Sequence, residues 1–419
     1  MSAPHQPYAS LQIKDFRWYL LARMCLTMAW QMQGVIVGWQ VYEFTKDPFA
    51  LGLVGLAEVL PFIVTSFYGG HAADTIERKK LVLVFTTLYL FCAVCLMSFT
   101  FPFVHVLDHH NVYPIYIIIA ITGIARGFVA PAITAFLAQL IPRELYSNGV
   151  TWNSNTWHMA AVAGPAAGGL LYGFVGITAA YAIVCALMFS TLILFLFIKR
   201  RPLPVSDKQE TIFESLTTGI RFVFGNQIML GALSLDMFAV LFGGAVAMLP
   251  VFASDILKVG PEGLGVMRAA PFFGSIIMGL FIAHRPPMNK AGKNLLIALV
   301  GFGSCMILFA LSKNFYLSLF LLFLSGAFDN ISVIIRGTIL QLITPDHMRG
   351  RVSAINSIFI GSSNEMGAFE SGAAAKFMGL VPSVIFGGVM TILIVGFTSV
   401  FAPKLRALSL RELHERNKI

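Results

Sequence analysis

Residues 123–169 read GIARGFVAPAITAFLAQLIPRELYSNGVTWNSNTWHMAAVAGPAAGG, and residues 326–372 repeat their pattern as GAFDNISVIIRGTILQLITPDHMRGRVSAINSIFIGSSNEMGAFESG. The two segments share small and polar residues at the same spacing: Gly123, Pro142, Asn153, Ser154, Gly164 and Gly169 match Gly326, Pro345, Asn356, Ser357, Gly367 and Gly372. Their separation of 203 positions is close to half of the 419-residue chain. A half-length unit therefore occurs twice in this sequence.

Long apolar runs fill both copies. The chain is 57% hydrophobic and 12% charged, whereas about a quarter of the residues of a soluble globular protein are charged. A helix that crosses a bilayer needs roughly 20 apolar residues, and twelve spans are predicted at 16–41, 49–73, 81–101, 113–140, 149–173, 177–198, 227–253, 262–284, 294–311, 315–342, 352–375 and 381–402. We therefore predict an all-α membrane protein with twelve transmembrane helices in two pseudo-symmetric six-helix bundles, an organisation typical of secondary transporters.

Polar stretches set the predicted domain boundaries. We expect an N-terminal bundle at 1–198, a cytoplasmic linker at 199–226, a C-terminal bundle at 227–403 and a cytoplasmic tail at 404–419. The linker begins with KRRPLP and continues through SDKQE, which interrupts the apolar pattern.

The 29 basic residues are unevenly divided between the two sides of the predicted membrane. The odd-numbered loops hold only Lys46, Lys258, Lys313 and Lys376. Because basic residues concentrate in cytoplasmic loops, both termini are expected in the cytoplasm. The net charge of +9 then follows from topology, and we expect no nucleic-acid partner.

Metal and redox chemistry have little support in the sequence. All five cysteines fall within predicted spans, where they suit apolar packing better than a disulfide framework. The outer loop at 105–110 contains three histidines and Asp108, which either bind a transition metal or form a solvated loop. We expect no resident metal and no cofactor.

Ionisable residues inside membrane spans are costly and are therefore functional candidates. The proton-coupling candidates are the charged residues of spans two, four, seven, ten and eleven: Asp329, Glu365, Glu58, Asp236 and Arg126. Superposing the halves places opposite charges at equivalent positions, with Arg126 on Asp329, Arg23 on Asp236 and Glu58 on Arg268. We expect the halves to face a central cavity with complementary charge, the alternative being fixed salt bridges that only hold helices together.

Amide, guanidinium and indole groups also lie within the spans. The substrate-binding candidates combine hydrogen-bonding groups with an aromatic ring: Arg23, Gln31, Gln33, Asn153, Trp157 and Arg336. This mixture suits an amphipathic, ring-bearing molecule. Anchoring at the membrane interface and hydrogen bonding between helices are the alternative roles.

Two short motifs resemble conserved motifs of a known family of membrane proteins. Residues 69–80, GGHAADTIERKK, resemble the signature loop of the major facilitator superfamily, although positions 75 and 77 differ from its pattern. The resemblance implies that Gly70, Asp74 and Arg78 form a gating motif on the cytoplasmic side. The segment GPAAGG in span five resembles a motif of proton-coupled exporters in the same superfamily.

In that second segment, proline removes a backbone donor and the glycines remove side chains, which permits a kink and close helix packing. The predicted packing residues are Gly164, Pro165, Gly168 and Gly169.

The whole chain is similar to the exporter branch of the major facilitator superfamily that includes enterobactin-type siderophore exporters and macrolide or multidrug efflux proteins. The resemblance implies a monomer of the bacterial inner membrane, which exports a small organic molecule in exchange for protons. An importer or facilitator of a small metabolite, such as an anionic one, is the alternative. An enzyme or receptor is not expected, since no HExxH zinc helix, GxSxG elbow or appended soluble domain occurs.

Overall fold

A computed structural model describes residues 8–104, 106–107, 111–202, 212–243, 245–284, 290–345 and 348–410. The three histidines of the loop at 105–110 and its aspartate lie outside these residues, as do positions 203–211 of the predicted linker and the end of the tail.

The first half of the chain consists of six long helices. Their bounds are α1 Lys14–Thr45, α2 Pro48–Thr75, α3 Arg78–Ser98, α4 Tyr113–Leu140, α5 Tyr146–Val175 and α6 Ile177–Leu196. Short 3-10 turns at Ser10–Gln12 and Arg143–Leu145 precede α1 and α5.

The second half repeats this order after one additional helix. Its elements are α7 Ile212–Gly225, α8 Gln227–Phe242, α9 Leu249–Val251, α10 Gly260–His284, α11 Ala291–Leu311, α12 Phe315–Ile343, α13 Arg349–Met378, α14 Leu380–Phe401 and α15 Pro403–Arg406. The additional helix, α7, lies within the predicted linker.

Eleven candidate spans in the described part of the chain are long and apolar enough to cross a membrane. They match eleven of the twelve predicted spans, and the remaining one corresponds to α13. This helix is 30 residues long, which is sufficient for a bilayer, but Glu365, Glu370 and Lys376 reduce its apolar character. It packs against α8 and α14 in the same way that α5 packs against α1 and α6. The prediction of an all-α membrane fold is confirmed.

The predicted span at 227–253 is not a single regular helix. The α8 helix ends at Phe242, and the chain continues through a 3-10 turn, the short α9 and a π turn that ends at Ile256. A Cβ atom at Gly243 would collide with the ring of Phe302. A glycine at this position therefore permits a close approach of the backbone, and it also weakens the helix where it breaks.

The chain forms two compact units. The first comprises Met1–Thr45, Ala57–Asp207 and Gly260–Ala269, and the second comprises Lys46–Leu56, Lys208–Val259 and Ala270–Ile419. Each unit therefore includes the first turns of one helix from the other half of the sequence, α10 in the first unit and α2 in the second.

Helix packing reproduces the sequence repeat within each unit. In the first, α1 packs on α5 and α6, and α3 packs on α4 and α6; in the second, α8 packs on α13 and α14, and α11 packs on α12 and α14. Small residues at equivalent positions bring neighbouring helices together. A Cβ at Gly123 of α4 would meet the backbone of α2, and one at Gly326 of α12 would meet the backbone of α10.

A pair of hydroxyl groups repeats in the same way. Thr65 of α2 donates to the carbonyl oxygen of Pro61 at 2.7 Å, and Ser275 of α10 donates to that of Pro271 at 3.1 Å. The Ser275 hydroxyl also lies 2.9 Å from the carbonyl oxygen of Gly326 on α12. The Thr65 hydroxyl likewise lies 3.5 Å from the carbonyl oxygen of Ile124 on α4. A hydroxyl four residues after a helix-interior proline therefore reaches the neighbouring helix in both units, as expected where no water can satisfy polar groups.

Candidate functional site

An ion pair joins α2 and α4 inside the first unit. The Arg126 Nη1 atom lies 2.9 Å from Oε1 of Glu58, and the two side chains are 18% and 13% exposed. Gly123 sets this geometry because α4 contacts the backbone of α2 directly at Glu58, one turn from Arg126. Both charges are functional candidates in the sequence because ionisable groups are costly inside membrane spans, but their pairing with each other was not predicted.

Aromatic rings complete the surroundings of the Arg126 guanidinium. Its Cζ atom lies 4.2 Å from the ring centroid of Trp30 on α1 and 4.7 Å from that of Phe62 on α2. Cation–π contacts of this kind are worth about 0.5–2 kcal/mol each. Tyr89 of α3 is buried within electrostatic range of both charges. Phe62 and Tyr89 were not predicted, because an aromatic residue in an apolar span is indistinguishable from ordinary packing.

A second ion pair joins α8 and α12 inside the second unit. Nη1 of Arg336 contacts Oδ2 of Asp236, and their side chains are only 5% and 6% exposed. The sequence predicted Asp236 for proton coupling and Arg336 for substrate binding. In this conformation each neutralises the other, so a substrate anion would have to displace Asp236 to reach the guanidinium.

Two further predicted carboxylates lie in the second unit. Asp329 is half-buried on α12, two turns before Arg336, and it has no hydrogen bond or ion pair with any residue that the structure describes. The neighbouring Asn330 donates to the carbonyl oxygen of Ser275 at 2.8 Å. Glu365 is half-buried on α13. These carboxylates remain predicted proton-coupling residues.

Three predicted substrate-binding residues of the first unit carry buried polar atoms without a hydrogen-bond partner among the described residues. They are Nε of Arg23, Oε1 of Gln33 and Oδ1 of Asn153. Gln33 is 2% exposed. Such groups are rare, and each requires a water molecule, a ligand or another conformation to satisfy it.

The other predicted contacts of the first unit lie on the same two helices, α1 and α5, which pack together. The Cβ atom of Gln31 lies 2.8 Å from the position of a Cβ at Gly164, so this residue contributes to packing. The Trp157 ring stands edge-on to His158 at 5.1 Å. Arg268 lies in the first part of α10, which belongs to the first unit. Its Nη1 atom would lie 3.4 Å from a Cβ atom at Gly34 of α1.

The predicted gating motif lies where α2 ends and α3 begins. Arg78 donates to the carbonyl oxygens of Ala73 at 2.9 Å and Ala135 at 3.0 Å, so it joins α2 to α4. Its contact with Asp74 is longer, at 3.7 Å, and the Asp74 side chain is 78% exposed. A Cβ at Gly70 would have no described neighbour within 4 Å.

The close helix contact in this region is made by Gly69, which abuts Gly127 of α4. The gating role of Gly70, Asp74 and Arg78 stays a prediction.

The glycines of span five have distinct contacts. Gly164 and Gly168 lie against α1 at Met28 and Met32, while Gly169 lies against Gly265 of α10. Pro165 lies inside α5, and its carbonyl oxygen would meet a Cβ at Gly265 at 2.7 Å. A larger residue at any of the three glycines would separate helices.

The equivalent contact occurs in the second unit. A Cβ at Gly372 of α13 would lie 2.8 Å from the Cα atom of Gly52 on α2. The described residues contain no group of three or more histidine, cysteine, aspartate or glutamate residues that could hold a metal ion.

Comparison with known proteins identifies the family of this chain. A family model described as transmembrane secretion effector matches residues 5–419. The chain is 26% identical over 387 residues to an enterobactin exporter, EntS, of Escherichia coli, and the match covers 91% of this chain and 90% of the exporter.

Solved structures share the fold at low sequence identity. A POT family transporter in complex with 5-aminolevulinic acid has a TM-score of 0.74 at 12% identity, covering 93% of this chain and 96% of its own. A D-xylose–proton symporter has a TM-score of 0.70 at 15% identity, covering 97% and 100%.

Proposed function

Because this chain belongs to the transmembrane secretion effector family of the major facilitator superfamily, we propose that it is a proton-coupled exporter of a small organic molecule. A siderophore or a drug-like amphiphile is the expected substrate class, in keeping with the enterobactin exporters among its relatives. Transport would occur by alternating access in the bacterial inner membrane, with both termini in the cytoplasm and the chain acting as a monomer.

The observation that carries this proposal is the Glu58–Arg126 ion pair. Both side chains lie within membrane spans, yet each keeps a small exposed fraction, at 13% and 18%. A proton can therefore reach Glu58, and protonation removes the charge that holds Arg126. The ion pair exists only while Glu58 is deprotonated. Proton binding by Glu58 is therefore coupled to the position of α4 relative to α2.

The second ion pair has a different expected role. Asp236 and Arg336 are almost fully buried, so a proton reaches them less readily. Asp329 and Glu365 are the further carboxylates from which a proton could be exchanged. We place substrate contact at α1 and α5, where the polar atoms of Gln33 and Asn153 have no described partner.

The test uses purified protein in liposomes that contain a pH-sensitive dye. Addition of enterobactin, or of an amphiphilic drug, to a preparation with a pH gradient is expected to produce substrate-dependent proton flux. Glu58→Gln should abolish the proton flux and preserve exchange of labelled substrate for unlabelled substrate, because the substrate site is intact.

Glu77→Gln is the matched control, since this glutamate lies in the connection between α2 and α3 and its carboxylate makes a long, 3.9 Å contact with Arg200. Normal proton flux in Glu58→Gln would remove this residue from the proton pathway. Substrate movement without any proton flux in the unmodified protein would instead favour a facilitator.

A further inference from the structure

An apolar groove opens on the surface of the second unit between α10, α11 and α12. It has a volume of about 200 Å³, and Asn294 is the only polar residue among the eight that line it. Phe281 and Ile297 on its rim are 57% and 66% exposed. All three helices are candidate membrane spans, so an exposed apolar groove between them suits contact with lipid.

The equivalent place in the first unit is filled by aromatic rings. The helices α3 and α11 are both 21 residues long, and aligning their first residues matches Phe85 with Ala298. The repeat that relates α4 to α12 matches Phe128 with Ile331. Phe85 and Phe128 stack with centroids 4.2 Å apart and planes 4° apart. The groove therefore exists because the second half lacks the two rings that close the same position in the first.

Positive charge flanks one end of the groove. Lys290 and Lys293 are exposed at the start of α11, and Lys293 lies one helical turn before Ile297 on the same face. The segment at 284–293 contains no acidic residue. The helix dipole adds partial positive charge at this end of α11. Basic residues concentrate at the cytoplasmic surface, where anionic lipids are also found.

We propose that this groove binds an anionic phospholipid of the cytoplasmic leaflet, with one acyl chain along Ala298 and Ile331 and the phosphate beside Lys290 and Lys293. The combination distinguishes the site from ordinary lipid contact, because a bulk lipid needs neither a cleft nor a cluster of cations. The proposal is independent of the transported substrate and of proton coupling.

The experiment is native mass spectrometry of the delipidated full-length protein, titrated in detergent with dioleoyl-phosphatidylglycerol or dioleoyl-phosphatidylcholine. The unmodified protein should bind the first molecule of the anionic lipid more tightly than the zwitterionic one. Lys290→Gln combined with Lys293→Gln should weaken that binding by roughly fivefold for each lysine, and it should leave phosphatidylcholine unaffected.

A second variant fills the groove in the manner of the first unit. Ala298→Phe combined with Ile331→Phe should remove the tightly bound phosphatidylglycerol. Lys80→Gln is the matched control, because Lys80 occupies in α3 the position of Lys293 in α11 but adjoins the closed position. The Lys80→Gln variant should bind phosphatidylglycerol with the same affinity as the unmodified protein.

Equal affinity of the unmodified protein for both lipids would overturn the proposal, as would unchanged phosphatidylglycerol binding in the lysine variant. If the filled variant does not elute as a folded protein in size-exclusion chromatography, the lysine variant and Lys80→Gln decide the question.

Discussion

The two ion pairs should differ in their contribution to stability because their burial differs. Asp236 and Arg336 are 6% and 5% exposed, so Asp236→Asn leaves a guanidinium charge inside the protein without its counter-charge. Removing one partner of a buried pair costs about 3–5 kcal/mol. For a folding unit of roughly 150–250 residues this corresponds to a decrease in Tm of about 6–20 °C.

The comparison variant is Asp74→Asn, which removes an ion pair at the membrane surface. Its partner atoms are 3.7 Å apart and the Asp74 side chain is 78% exposed, so the expected loss is about 0.2–1 kcal/mol and at most about 4 °C. Thermal unfolding in detergent, followed by intrinsic fluorescence, measures both variants under the same conditions.

A third variant separates charge burial from general damage to the packing. Asp236→Leu combined with Arg336→Met replaces the pair by apolar groups of similar volume, which is often neutral or stabilising. The decrease in Tm should therefore be much smaller in this double variant than in Asp236→Asn. Equal Tm values for Asp236→Asn and Asp74→Asn would refute the reasoning, and so would a double variant less stable than Asp236→Asn.

Three other substitutions, two of them with a matched control, test the packing and the polar atoms. Gly123→Leu should lower the Tm and block proton flux, because its side chain collides with the backbone of α2, while Gly70→Leu should leave the Tm unchanged. Lys79→Met should cost about 1–3 kcal/mol in thermal unfolding, since its ammonium binds two carbonyl oxygens at the end of α6, whereas Lys80→Met should be neutral. Gln33→Leu should maintain or raise the Tm, because it removes a buried unsatisfied oxygen, and should reduce substrate-dependent flux; unchanged flux would place Gln33 outside the substrate site.

The fold was predictable because its signals are local or repeated. Apolar runs long enough to cross a bilayer identified the helices, and the 203-residue repeat identified two related halves. The break after Phe242 was missed, since the apolar run continues from there to Ala253 without a polar residue to interrupt it. Helix geometry there depends on a glycine that packs against a ring from another helix.

The candidate site was predictable residue by residue but not as an arrangement. The cost of burying charge identified Glu58, Arg126, Asp236 and Arg336. The superposition of halves suggested opposite charges facing across a cavity, and it did not predict that Glu58 pairs with Arg126, or Asp236 with Arg336, inside one unit. A charge binds whichever counter-charge the packing of its own bundle brings within reach.

By itself, the sequence determined that the chain spans a membrane many times, that its halves are homologous and that ionisable groups lie within the spans. These properties depend on composition and spacing along the chain. Only the tertiary structure decided that Arg126 lies between Glu58 and Trp30, and that rings close a groove in one unit and leave it open in the other. Such contacts join helices distant in sequence, and their rotation and separation are set by the small residues at each interface.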